Sequence, residues 1–177
     1  MNLRTFAASS VFIATMAFCI PTFAQAIPSS QTADFVRNAS IGNAFEIESS
    51  KLAIKRTSAK DVKDFALMMV TDHTQMGDDL RKTLASSGTG LSMVEKPTGD
   101  TQKTLNELKA APTASFDNLY VQAQSKAHDD AVSMFADYAE NGDNVDLKKF
   151  ASNALPVLKK HQELVHNLTQ AYMSTSQ

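Results

Sequence analysis

The run from Ser58 to Ser87 constrains this chain more than any other stretch. Val62, Phe65, Ala66, Met69, His73, Met76, Leu80 and Leu84 follow i, i+3, i+4, i+7 spacing, which gathers them onto one helical stripe. The stripe predicts a long helix whose apolar side must be covered by other helices. His73 stands at its centre. An imidazole buried there needs a polar partner, because an unpaired buried polar group costs roughly 1–3 kcal/mol. Three more long helical patterns each carry an ionisable residue near the midpoint: Glu46, His128 and His161.

The first of these patterns runs from about Thr32 to Thr57. Phe35, Ala39, Gly42, Glu46, Ser49 and Ala53 share a narrow stripe whose small side chains let a neighbouring helix come close. Ser58 and Asp61 have the spacing of a capping box and mark the turn into the second helix. The second helix ends near Ser86 to Gly88, where the glycine suits a left-handed C-cap. The stretch from Gly88 to Pro112 is punctuated by Gly90, Pro97 and Gly99, and only Thr101 to Ala110 is helix-like. A connection of that length inside a compact domain reads as the crossover of a four-helix bundle between helices 2 and 3. The third helix starts around Ala114 to Phe116 and carries Val121, Gln124, His128, Ala131 and Phe135 on one face. The fourth starts after Gly142, with Asp143 or Asn144 as N-cap. Its stripe holds Leu147, Phe150, Ala151, Ala154, Leu158, His161 and Val165, with Pro156 about opposite. No strand-period alternation stands out, so the fold class is all-α.

Residues 1–26 read as a signal peptide: Arg4, an apolar segment from Ala7 to Ile20, and the small-x-small site Ala24-Gln25-Ala26. The expected mature domain is therefore 27–177, periplasmic or secreted, with cleavage after Ala26. No later stretch reaches the ~18 apolar residues that a membrane span requires. Seventeen basic residues less Arg4 stand against nineteen acidic ones. That mild negative balance, without a basic cluster, argues against nucleic acid as partner. Cys19 is the one cysteine and leaves with the signal, so no disulfide is expected and the core must hold the domain.

In an antiparallel helix pair, residues equidistant from the turn share a height. Glu46 lies roughly 12 residues before the first turn and His73 roughly 15 after it, a mismatch of about 4.5 Å at 1.5 Å per residue. His128 and His161 lie roughly 14 and 19 residues from the turn near Gly142, so all four side chains can meet at one level. Three neutral imidazoles and a carboxylate make a set of ligands for a single transition metal: zinc, iron, copper or manganese. The alternative is a metal-free Glu–His network that fixes helix register, in a cell-envelope interaction or stress-related module. Asp72, Asp129 and Glu163 adjoin the histidines in sequence and are candidate outer partners or surface groups. His166 reads as a boundary histidine, Met69, Met76 and Met134 as core fillers, and Tyr120 and Tyr138 as boundary packing. No nucleophile elbow or catalytic motif is present, so an enzyme is not expected.

Five segments together resemble a known family: Phe35-Val36; Glu46-Ile-Glu48 before Lys51-Leu-Ala53; Val62-Lys-Asp-Phe65-Ala66 leading to Asp72-His73; Phe116-Asp-x-x-Tyr120 with His128; and Leu147-Lys-Lys-Phe150-Ala151 leading to Leu155-Pro156 and His161. The family is that of exported bacterial ferritin-like proteins of unknown function, domain of unknown function 4142, often labelled predicted outer membrane proteins. The resemblance implies a ferritin-like four-helix bundle and an exported location, and implies no reaction. Di-iron members of the wider fold use Glu-x-x-His pairs. Here Met69 or Val70 precedes His73 and Leu158 precedes His161, so a di-iron centre is not expected.

Overall fold

The computed structural model describes residues 27–174, and among them it contains five α-helices and no strand. They are α1 Ser30–Arg56, α2 Lys60–Ser86, α3 Gly99–Ala110, α4 Thr113–Asn141 and α5 Val145–Ser174. The signal segment, its cleavage site and Cys19 lie outside the described residues. α1 packs on α2, α2 on α5, α5 on α4 and α4 on α1, so the four long helices close a ring around one interior. The short α3 lies against α1 and α4. No described helix is long and apolar enough to cross a membrane.

Local chemistry sets the helix ends. Ser29 caps α1, its Oγ accepting from the Thr32 amide at 3.0 Å. The expected Ser58 capping box does not form: α2 begins after Ala59, whose side chain makes no cap. Thr57 takes over. Its Oγ1 accepts from the Ala59 amide at 3.0 Å and donates to Asp117 on α4 at 2.9 Å. A hydroxyl fixed by a second helix outcompetes the freely solvated Ser58, and Asp61 turns to the Val62 amide instead. Gly88 adopts φ +68°, the left-handed conformation expected of it. At α5, Asn144 Oδ1 accepts from the Leu147 amide at 3.1 Å, as expected of an N-cap.

Long-range hydrogen bonds fix the direction of the connection between α2 and α4. Asn144 reaches the Ser87 carbonyl, which puts the α4–α5 turn beside the end of α2. At the opposite end Arg56, closing α1, donates to the carbonyls of Leu108 at 2.8 Å and Ala111 at 2.6 Å. The same guanidinium lies 4.4 Å from the centre of the Phe116 ring. The connection between α2 and α4 therefore runs the length of the ring of helices, with α3 on the way.

The interior consists of two apolar clusters. One gathers Phe45, Phe65, Met69, Phe116, Tyr120, Val121 and Val165. The other gathers Phe35, Leu80, Leu84, Phe135, Leu147, Phe150 and Leu158. In sequence His73 falls between Met69 and Leu80, His128 between Val121 and Phe135, and His161 between Leu158 and Val165. A polar layer thus separates two dry ones. Tyr120 and Tyr138, expected at the boundary, are 0% and 2% exposed. The small polar residues of α1 make this possible: Tyr120 Oη meets Ser50 Oγ at 2.8 Å and Tyr138 Oη meets Thr32 Oγ1 at 2.5 Å. Replacing Tyr120 by Phe leaves the buried Ser50 hydroxyl without that partner and is expected to cost about 1–2 kcal/mol. Leu147→Ala, which empties a fully buried site, is expected to cost about 2–5 kcal/mol. Urea midpoints at unchanged m-value measure both.

Candidate metal centre

His73 on α2, His128 on α4 and His161 on α5 come together in the polar layer at 3%, 1% and 0% exposure. Their ring centres form a nearly equilateral triangle, 5.7 Å between His73 and His128 and 5.5 Å on the other two sides. One ring nitrogen from each lies within 4.8 Å of those of the other two.

One nitrogen of each ring is held by an acceptor outside the triangle. His73 Nδ1 lies 3.1 Å from Asn43 Oδ1, His128 Nδ1 lies 2.9 Å from the Gln124 carbonyl, and His161 Nε2 lies 2.8 Å from Asp72 Oδ2. All three partner oxygens only accept, so the tethered nitrogens are the donors and carry the protons. The lone pairs then reside on His73 Nε2, His128 Nε2 and His161 Nδ1. These three buried nitrogens have no hydrogen-bond partner. Three bare acceptors cannot satisfy one another. Gly77, one turn beyond His73, makes the first tether possible: a Cβ there would stand 2.9 Å from Asn43 Nδ2.

Glu46 on α1 is 4% exposed and adjoins the triangle without being part of it. Its Oε1 is 3.9 Å from His128 Nδ1, the tethered nitrogen, and its Oε2 has no partner. Burial pushes the Glu46 carboxyl up to about 8, against a Gln124 hydrogen bond that pulls it down. Burial acts on the imidazoles in the opposite sense. It drives His73 well below its usual value, helped by His128 and His161, and takes His128 down to about 4. His161 is also lowered by burial, although Asp72 resists the shift. At neutral pH the layer holds three neutral imidazoles beside a protonated carboxyl.

Asp72 is 35% exposed and bridges the surface to His161, an outer-partner role that its place in the sequence allowed. Asp129 stays outside, bonded to His166 Nε2 at 2.8 Å and to Gln162. His166 is 43% exposed, the boundary position expected of it, and Glu163 is exposed. Met69 is fully buried, while Met76 and Met134 pack against the second apolar cluster. Asn43 and Gly77 are the site residues that pattern reading passed over. Their signals were an amide beside the small-sided stripe of α1 and a glycine in the interior of α2 where no turn requires one.

Three neutral imidazole nitrogens are donors suited to zinc, copper or iron, each already oriented by an outer acceptor. A tetrahedral ion would take three positions from them and one from elsewhere.

Comparison with solved structures finds a crystal structure of a DUF305 fragment from Deinococcus radiodurans, with a TM-score of 0.69 and 12% sequence identity over 82% of this chain and 99% of that one. At that identity the likeness concerns the fold alone. No curated protein matches. The family model for a domain of unknown function, DUF4142, matches residues 19–168. That match spans most of the chain, both apolar clusters and the polar layer between them, and the chain therefore belongs to the DUF4142 family.

Proposed function

We propose that this is an exported metal-binding protein built as a ferritin-like four-helix bundle, in which His73, His128 and His161 hold one transition-metal ion with Glu46 beside it. One observation carries the reading. Each imidazole spends one nitrogen on an acceptor outside the triangle, and the other is buried with no partner. A purely structural network would be expected to pair these nitrogens with donors, because a bare buried acceptor costs about 1–3 kcal/mol. An ion repays all three at once. It also fits the neutral state in which burial holds the rings, since a protonated imidazole cannot bind metal. The nitrogen-only triangle favours zinc or copper over manganese, which prefers oxygen. The role best matched to this is metal handling in the cell envelope. A chain leaving the cytoplasm through a signal cleaved after Ala26 agrees with it, and N-terminal sequencing of the exported protein checks that site.

Untagged protein purified from its native compartment is expected to contain close to one metal ion per chain. With the ion at about 100 times its dissociation constant, stability should rise by about 2.7 kcal/mol, a melting shift of roughly 5–10 °C for a domain of this size. His161→Asn should abolish stoichiometric binding. Glu46→Gln should retain it, which separates three ligands from four. Substoichiometric metal together with no melting shift from zinc, copper, iron or manganese would defeat the reading.

The metal-free protein is expected to be most stable near pH 6.5. Folded Glu46 keeps its proton up to about 8, whereas the unfolded chain releases it near 4.5. Stability therefore falls as pH rises between those values. Below about 6.5 the unfolded chain takes up protons that native His73, His128 and His161 resist, so stability also falls toward acid. The imidazoles outnumber the single carboxyl, and the acid side should be the steeper. Urea midpoints at pH 5, 6.5 and 8.5 in chelator should show this maximum, and Glu46→Gln should flatten the alkaline side.

A further inference from the structure

A cavity of about 450 Å³ opens between α1 and α4 beside Thr101 of α3. Exposed Asn38 and Asp130 stand at its mouth, and buried His73, His128 and Glu46 lie at its floor. The intervening wall is mostly apolar, with Ile41, Met134 and Phe135 among its residues. Among its lining residues, Glu46, His73 and His128 carry buried atoms, Oε2, Nε2 and Nε2, that have no protein partner.

Gly42 also lines this cavity. A Cβ at Gly42 would meet nothing within 4 Å. A glycine inside a helix costs roughly 0.5–1 kcal/mol relative to alanine. At Gly77 that cost has a steric reason in Asn43; at Gly42 no packed neighbour supplies one. The missing side chain leaves the passage wide.

We propose that the α1–α4 cavity is a ligand pocket, admitting a small uncharged molecule with an apolar body and one lone-pair donor atom to the metal position left free by His73, His128 and His161. The chemistry of the ligand follows from the wall. Its apolar surface favours an uncharged body over an ion, because a charge would lose hydration there without compensation. A donor atom at the leading end meets the polar floor of Glu46, His73 and His128, where a metal would supply the bond. The volume accommodates a molecule of several heavy atoms, within the range of small-molecule sites.

The inference rests on metal binding, and one experiment separates the two. Full-length mature protein is loaded with cobalt(II), the stoichiometry is measured, and pyridine is titrated while the visible bands are followed. A saturable spectral change, with cobalt still bound afterwards, is expected. Azide, a charged nitrogen donor, should require at least tenfold higher concentration. Gly42→Phe should keep one cobalt per chain and weaken the pyridine response at least tenfold, and Gly42→Ala should keep both. Should Gly42→Phe fail to fold, the smaller Gly42→Leu carries the same expectation. One bound cobalt with no pyridine response, an equal response in the filled variant, or a preference for azide overturns the pocket and leaves the metal reading standing. No bound cobalt overturns both.

Discussion

Three imidazole lone pairs confined in a buried polar layer are the constraint on which the rest of this structure turns. Apolar clusters bound the layer at either end, so the core offers these nitrogens no hydrogen-bond donor. Each ring is fixed by an acceptor from a different source: an amide on α1, a backbone carbonyl of α4 and a carboxylate on α2. The tethers therefore couple helices as well as orienting rings. Asn43 joins α1 to the ring on α2, and Asp72 joins α2 to the ring on α5. Moving α2 or α5 by a turn, about 5.4 Å, would carry its ring out of the triangle and break an interhelical hydrogen bond. Packing and chemistry select the same register, and apolar contacts alone would tolerate more slippage.

Much of this was legible in the sequence. The stripe through Val62, His73 and Leu84 predicted a helix with a histidine inside it, and all three of these residues are buried. Counting from the turns predicted that His73, His128 and His161 could share a level, and they do. The same count put Glu46 at that level as a fourth ligand, whereas the structure leaves it beside the triangle, its Oε1 3.9 Å from the tethered nitrogen of His128. The periodicity of one helix fixes the facing of a residue better than its height against another.

Features that depend on two helices at once were not legible. The Ser58 cap looked right by spacing, but a bond from Thr57 to Asp117 on a distant helix moved the start of α2. Tyr120 and Tyr138 looked like boundary residues because their partners, Ser50 and Thr32, lie on another element. Asn43 and Gly77 are unremarkable in their own helices and acquire meaning only from their mutual approach. The cavity is of the same kind: no single-helix pattern reveals a space enclosed by several.

Arg56 has a consequence well away from the histidines. Its guanidinium fork grips the carbonyl end of α3 and lies over Phe116, at the opening turn of α4. The long connection is thereby pinned where it hands over to α4, and the rotational phase of that helix is set before its midpoint is reached. His128 sits three turns further on, where a small error in phase would swing its ring off the triangle. A lysine in place of Arg56 would keep the charge but lose the planar two-pronged grip. One arginine at the rim of the fold thus acts as the indexing pin for an imidazole deep within it.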